Sequence, residues 1–389
     1  MLVSPIIVGT NNGKRLVGLA SEIERGATRE LFFPKGAKHS DLDSVVCLLI
    51  QHSKKNNESL LESLAALKEI FERSDNATKK RLVDGLRSVN NLESKEEREK
   101  GIYLSDHEIT LHDGKTIKLS LLSIPSIEPL TPGTKASIKG LYASGELRNG
   151  MEKQEAIDLG TGSGAIAIVL AKGNRFSKVY AFDKNSDLQD LVRINSIINN
   201  VEEKVIFLET NLFDPLKRVD YSDTQLWAYN KFSSSSNNKK VDLIISNPPQ
   251  RPSLPGTTET KLQLFKYGSQ KDYYDDGLDF TQQILLKGSS MLNKNGRLYL
   301  QMLAWHNGRF QKIASGYNLH QVPNSSVRKL YSPGERFPFP VFVKAQTVLD
   351  KEFIFLNEHS SIISAVDAQE YQEEGTNVLT EFALYRLAA

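Results

Sequence analysis

The sequence predicts an α/β protein with a doubly wound, mostly parallel sheet covered by helices on both faces, preceded by a helical segment and a β-hairpin. Three observations predict it. From Met151 onward, apolar strands alternate with helical patterns: EAIDLG then AIAIVLAK, KVYAFD then LQDLVRINSIINN, and later KVIFLET, VDLIISN and RLYLQML. Residues 41–89 carry apolar side chains at helical spacing, and residues 102–122 switch to period two.

Each element follows in order. Val45, Val46, Leu49 and Ile50, then Leu60, Leu61, Leu64, Leu67, Ile70 and Phe71, then Leu82, Val83 and Leu86 predict three short amphipathic helices. Ser59 and Asp75 lie near the helix starts, and the stripe is read as core packing rather than a partner groove. ESKEEREKG, residues 93–101, has no apolar face and marks a domain boundary. Ile109 and Leu111 then alternate on one side of Asp113-Gly114, and Ile117, Leu119 and Leu121 on the other, predicting a hairpin closed by a type I′ turn. Pro125, Pro129 and Pro132 in IPSIEPLTPG predict an extended lead-in without regular helix. The chain thus divides into residues 1–100, a helical accessory or substrate domain; 101–125, a hairpin linker; and 126–389, the α/β domain. NKFSSSSNNKK closes an expected surface insertion over 219–240, and YSPGERFPFP marks loops in the long region 305–389.

Composition narrows the function classes. With 49 basic against 47 acidic residues among 389, the net charge of +2 draws the chain to neither nucleic acid nor lipid. A single cysteine, Cys47, excludes a disulfide framework and a Cys-rich metal cage, and fits a reducing compartment. The opening MLVSPIIVGTNNGKRLVG lacks a basic segment followed by a long apolar core, and no run approaches a bilayer span, so a cytoplasmic protein with no membrane partner is expected. The seven histidines show no pairing suited to a metal, and none is expected. Gly9 to Arg15 falls one residue short of a P-loop, and no G-x-S-x-G turn anchors a hydrolase.

Two motifs carry chemistry. In Ala156-Ile-Asp158-Leu-Gly160-Thr161-Gly162-Ser-Gly164, an apolar strand enters a Gly-rich turn that opens a helix. Glycines let backbone approach a ligand, and the first helical N–H groups face it. Gly160, Gly162 and Ala165 also satisfy a dinucleotide fingerprint, so the turn alone is ambiguous. Asp183, at the end of the next strand, is placed to accept hydrogen bonds from ribose hydroxyls. Asp158 would repel a pyrophosphate but suits a ligand with a positive amino-acid portion, such as S-adenosylmethionine. The second motif is Asn247-Pro248-Pro249-Gln250 after the strand VDLIIS. The Asn247 side-chain oxygen and the Pro248 carbonyl can accept both hydrogens of a planar amide or amine, and two prolines stiffen the loop that presents them.

Together DLGTGSGAIAI, AFDKN, ISNPPQ and DDGLDFTQQILLKGSSMLNKNGRLYLQ resemble the class I S-adenosylmethionine-dependent methyltransferases, in the branch that methylates protein glutamine and adenine N6. The resemblance covers roughly residues 125 to 303 and implies a seven-stranded sheet. It implies that Asp158, Gly160, Thr161, Gly162, Gly164 and Asp183 shape the S-adenosylmethionine pocket, and that Asn247, Pro248 and Pro249 present the target nitrogen, with Asn247 also beside the cofactor. Asn211 stands where the family commonly has an Asp facing the adenine amino group. Gln250 replaces the family's aromatic residue, and Trp305 is a possible substitute otherwise read as core. The expected activity is methyl transfer to a protein glutamine amide. Alternatives are an adenine in nucleic acid, a small molecule, a non-catalytic S-adenosylmethionine-binding module, and a nicotinamide-dependent oxidoreductase.

Overall fold

The computed structural model describes residues 39–92, 100–125, 127, 129–148, 153–210, 240–248, 250, 278–303, 307–333, 339–350 and 352–387. The helical segment forms α1 (His39–Ser53), α2 (Asn57–Arg73) and α3 (Asn76–Leu92). Asp75 caps α3 as expected, accepting from the Thr78 amide at 2.8 Å. The cap of α2 is Asn56 rather than Ser59: Asn56 Oδ1 accepts the Ser59 amide at 2.8 Å, and Ser59 lies buried in the first turn. Leu60, Leu64, Leu67, Ile70 and Phe71 line the buried face of α2.

The hairpin pairs β1 (Tyr103–Thr110) with β2 (Thr116–Ser123), Thr110 opposite Thr116. Its turn is not type I′. Only Gly114 has positive φ, at 82°, while the Gly114 amide donates to Leu111 O and the Leu111 amide to Lys115 O. This is a three-residue loop, a type I turn followed by a left-handed glycine, which leaves Asp113 in ordinary backbone. The lead-in also differs from expectation: α4 (Pro132–Ala143) begins at the last of its prolines. Proline at the first helical position loses no hydrogen bond, and Thr131 caps the helix by accepting from the Thr134 amide at 3.0 Å.

Then the alternation takes over, with β3 (Gln154–Leu159), α5 (Ala165–Lys172), β4 (Phe176–Asp183), α6 (Leu188–Ile198), β5 (Val205–Glu209), β6 (Val241–Ser246), α7 (Asp279–Gly288) and β7 (Leu292–Leu303). Five strands are parallel in the order β5-β4-β3-β6-β7, reversing direction of growth between β3 and β6. Beyond them come α8 (Asn307–Gly316), β8 (Leu319–Gln321), β9 (Val327–Tyr331), α9 (Phe339–Leu349), β10 (Ile354–Asn357), β11 (Ile362–Ser364), α10 (Ala365–Glu373) and β12 (Val378–Leu387). β12 runs antiparallel against β7 and carries β8 and β9 on its other edge, while β10 extends the β7 edge and pairs with β11. Among the described residues the sheet counts ten strands, against the seven expected. β12 extends past the end of β7 at Leu303, and its remaining backbone groups pair with short strands that precede it in the chain.

Period-two alternation sorts the strands between two cores. Ala156, Val179, Ala181, Phe207, Leu243 and Ile245 face α4, α5, α6 and the hairpin, in a cluster continuous with the buried face of α1 to α3. Ile157, Tyr180, Phe182, Ile206, Ile244 and Leu298 face α7 and α8. A third cluster packs Phe342 edge-on against Phe353 and Phe355, joining α9 and α10 to the β12 end of the sheet. The helical segment docks on α6 through apolar packing and the pairs Lys68–Asp190 and Arg193–Glu72. Among the described residues no helix is long and apolar enough to cross a membrane.

Candidate functional site

The site sits where the direction of sheet growth reverses, at the carboxyl ends of β4, β3 and β6, the crevice in which open α/β sheets bind ligands. β3 ends one residue before Gly160, and Gly160, Gly162 and Gly164 take φ of 74°, 54° and 83°. Those values suit glycine and strain any other residue. A side chain built at Gly160 or Gly162 would meet no atom within 4 Å, so the turn fronts open space. Backbone bonds fix its shape: the Gly160 and Thr161 amides both donate to Phe182 O, at 2.8 and 2.9 Å.

Asp158 is buried beneath this turn. Its Oδ2 accepts from Thr161 Oγ1 at 2.7 Å and from the Ala167 amide at 3.1 Å, so it caps α5, whose own cap position, Gly164, has no side chain to do so. Among the described residues its Oδ1 has no partner. Burial raises the Asp158 carboxyl to about 7, against the lowering effect of the Thr161 and Ala167 bonds and with a further push from Asp183. Asp183, at the end of β4, accepts the Gly162 amide on Oδ2 and the Asn185 amide on Oδ1, each at 3.1 Å. Burial raises this carboxyl too, and these two backbone bonds oppose the rise.

Asn247 follows β6 by one residue. Leu159 and Ser246 are register partners, and Ser246 Oγ donates to Leu159 O at 2.7 Å, so Gly160 and Asn247 leave adjacent strands side by side, about 5 Å apart as neighbouring strands are. The Asn247 amide nitrogen donates to Thr134 Oγ1 at 3.3 Å and Thr131 Oγ1 at 3.5 Å, long bonds that still turn its oxygen away from the α4 hydroxyls. A Cβ on Gly133 would stand 3.0 Å from that oxygen, so the first turn of α4 holds one end of the amide and leaves room for the other. Thr131, Gly133 and Thr134 escape the sequence reading because the prolines hide the helix they begin; Thr-Pro ahead of an apolar period is the signal that reveals it.

Gln250 is buried beside the Pro248 carbonyl, to which its Nε2 donates at 3.4 Å. Its side chain is buried against β7, where Nε2 donates to Gln301 O at 2.8 Å and to Gln301 Oε1 at 2.9 Å, and Oε1 accepts the Leu303 amide at 2.9 Å. It continues the β7 ladder as a side chain and ties down the loop after Pro248. Its missing aromatic ring therefore alters how the loop is anchored.

Another amide acts from behind. Asn195 on α6 accepts the Leu122 amide at 2.6 Å and donates to both Leu122 O and Ser163 O at 3.0 Å, joining the hairpin to the Gly-rich turn. Asn199 repeats the link one turn on, donating to Ser120 O at 2.7 Å. Of the sequence-predicted residues, Asp158, Gly160, Thr161, Gly162, Gly164, Asp183, Asn247 and Pro248 converge here. Pro249, Asn211 and Trp305 lie outside the described residues.

Known proteins bear on this arrangement. No family model matches the chain. Over 201 residues it is 24% identical to the release factor glutamine methyltransferase of Flavobacterium psychrophilum, covering 51% of this chain and 62% of that one. Over 151 residues it is 30% identical to the ribosomal protein uL3 glutamine methyltransferase of Neisseria gonorrhoeae, covering 38% of this chain and 42% of that one. The chain is similar to protein-glutamine methyltransferases. It spans less than two thirds of the length of the curated relatives it matches. A solved structure of the T. thermophilus 16S rRNA N2 G1207 methyltransferase with AdoMet and guanosine aligns with a TM-score of 0.36 at 13% identity, over 56% of this chain and 47% of that one, too slight a likeness to bear on function.

Proposed function

We propose that this protein transfers a methyl group from S-adenosylmethionine to a planar nitrogen, with a protein glutamine amide as the acceptor. The observation that carries the reading is the adjacency of Asn247 to a Gly-rich turn fronting open space, above a buried carboxylate with one oxygen left over. Similarity to enzymes named for glutamine methylation selects the acceptor.

The residues fit the cofactor. Asp158 Oδ1 is an acceptor in search of a cation, which the methionine ammonium supplies, and Gly160 and Gly162 leave its approach clear. Both Asp183 oxygens keep lone pairs for ribose hydroxyls, and Asn211 can accept from the adenine amino group. The cofactor contributes an electrophilic methyl carbon on a sulfonium. The chain's task is alignment. The Asn247 side-chain oxygen and Pro248 carbonyl accept the two amide hydrogens, so the nitrogen faces the pocket and the bound amide cannot swing. Thr131 and Thr134 hold the Asn247 amide in the orientation that keeps its oxygen free for this bond. Residues 1–100 serve as an accessory substrate-binding domain, 101–125 as a linker and 126–389 as the catalytic domain, in a cytoplasmic protein.

The test is incubation with methyl-labelled S-adenosylmethionine and, separately, purified release factor, ribosomal protein uL3 and adenine-containing oligonucleotide, followed by digestion to locate the label. Label on a glutamine is expected, with Asn247→Ala lowering the rate by roughly a hundredfold or more, the usual loss when an oriented polar contact to the reacting group is removed. Unchanged labelling by Asn247→Ala would overturn the catalytic role.

A further inference from the structure

A second hollow, of about 520 Å³, opens on the α4 face of the sheet between the hairpin tip, the end of α4 and the loop after β8. It is separate from the cofactor turn. Arg386 in its wall pairs with Tyr299, four residues before the carboxyl end of β7, roughly 13 Å down the strand.

The polar walls are His112, Ser144, His320, Gln321, Asn324 and Arg386, and among the described residues no carboxylate lines the space. His320 and Arg386 are direct register partners across β8 and β12, so their side chains leave the same face of the sheet. Arg386 carries a permanent positive charge, and the His320 ring beside it presents an N–H donor to the same space. The acids nearby are engaged elsewhere. Asp113 accepts from Tyr142 Oη at 2.6 Å and pairs with Lys115 at 3.0 Å, and Glu146 is held by Arg175 and Arg297. The end of α4 does not compete either: Gly145, at φ 78°, and Glu146 return their amides to Tyr142 O and Leu141 O, satisfying carbonyls that would otherwise repel an anion.

We propose that this hollow is a phosphate-binding site, taking a phosphorylated ligand the size of a mononucleotide, either free or as one residue of an RNA strand. A guanidinium fork, imidazole N–H groups, the Ser144 hydroxyl and the Asn324 amide offer more donors than a carboxylate can use, and they match the several oxygens of a phosphate, while the Gln321 amide is already turned to Ser326 Oγ at 2.9 Å. The volume falls within the range of small-ligand sites and exceeds what a bare ion fills. The His112 ring, 5.5 Å from the Tyr142 ring, supplies a flat wall for a base.

The full chain is titrated with inorganic phosphate, uridine monophosphate and a labelled single-stranded oligouridine, by calorimetry and by fluorescence anisotropy at two salt concentrations. Arg386→Gln and His320→Gln are exposed-site variants whose melting temperatures should match the wild type. Binding of the oligouridine that phosphate displaces, weakened about tenfold or more by Arg386→Gln, identifies a strand residue; binding of the mononucleotide alone, with the same loss, identifies a free nucleotide. Either outcome supports the phosphate site. It is overturned if no probe binds, or if both variants bind every probe as the wild type does.

Discussion

The two ends of the parallel strands each bury an acid, and they treat it in opposite ways. Near the amino ends, Glu146 is 2% exposed and surrounded: Arg297 Nε stands 2.7 Å from Oε1, Arg175 Nη1 3.2 Å from Oε2, and Tyr299 donates to Oε1 at 2.8 Å. The two arginine contacts are ion pairs by distance, although Arg297 Nε and Glu146 Oε2 are not aligned as hydrogen bonds. Both arginines also share Gln154 Oε1. At the carboxyl ends, Asp158 is as deeply buried and, among the described residues, has hydrogen bonds on one oxygen only and no cation in ion-pair range. A buried acid flanked by two guanidinium groups holds a fold together, whereas one without such a neighbour reserves a place for something else.

The contrast can be broken by mutation. Glu146→Ala should cost the most, about 3 kcal/mol, because it strands two partly buried guanidinium groups; chemical denaturation measures it, and a loss below 1 kcal/mol would mean the arginines find water instead. Asp158→Asn should behave inversely. The one amide oxygen can still accept from Thr161 and Ala167, so the fold survives, while calorimetry should show S-adenosylmethionine binding weakened about tenfold or more.

The same variant carries a pH signature. A carboxyl raised from 3.8 to about 7 favours its protonated form in the fold, so wild-type stability without ligand should fall as pH rises from about 4 to about 7, then level off. Asp158→Asn should lose this share of the slope, which denaturation midpoints at pH 5 and pH 8 would reveal. Next in size, Gln250→Leu removes the acceptor for the Leu303 amide and the donor to Gln301, and should cost about 1–2 kcal/mol. Gln250→Tyr should destabilise as well, since the side chain points into the sheet. A gain of activity on adding the ring would contradict that orientation. Smallest is Thr134→Val, expected to lower kcat a few-fold with KM unchanged, because the bond it removes is long and Thr131 remains.

The sequence made the carboxyl side of this comparison readable and left the other side dark. Asp158, the three glycines, Asp183 and Asn247 lie at strand ends whose apolar runs announce them, so position along the chain gives position in space. Glu146 and Arg297 are 151 positions apart in a register that no local pattern encodes, and Asn195 reaches the hairpin across 73 residues. Gln250 presents a similar difficulty: next to Asn-Pro-Pro it reads as a substrate-side residue, and only the position of β7 turns it inward. The helix α4 was legible in principle, since Thr131-Pro132 is a cap followed by a tolerated proline, but three prolines in eight residues argued locally for extended chain. The short strands β8, β9 and β10 carry too few residues for a period and form because β12 offers them an edge, and β11 in turn pairs with β10.

The Asn195 side chain grips the second hairpin strand and the Ser163 carbonyl with the same nitrogen. The hairpin and the Gly-rich loop proposed to cradle the cofactor are thereby fastened at a single amide. Cutting that one fastener would release two remote segments together.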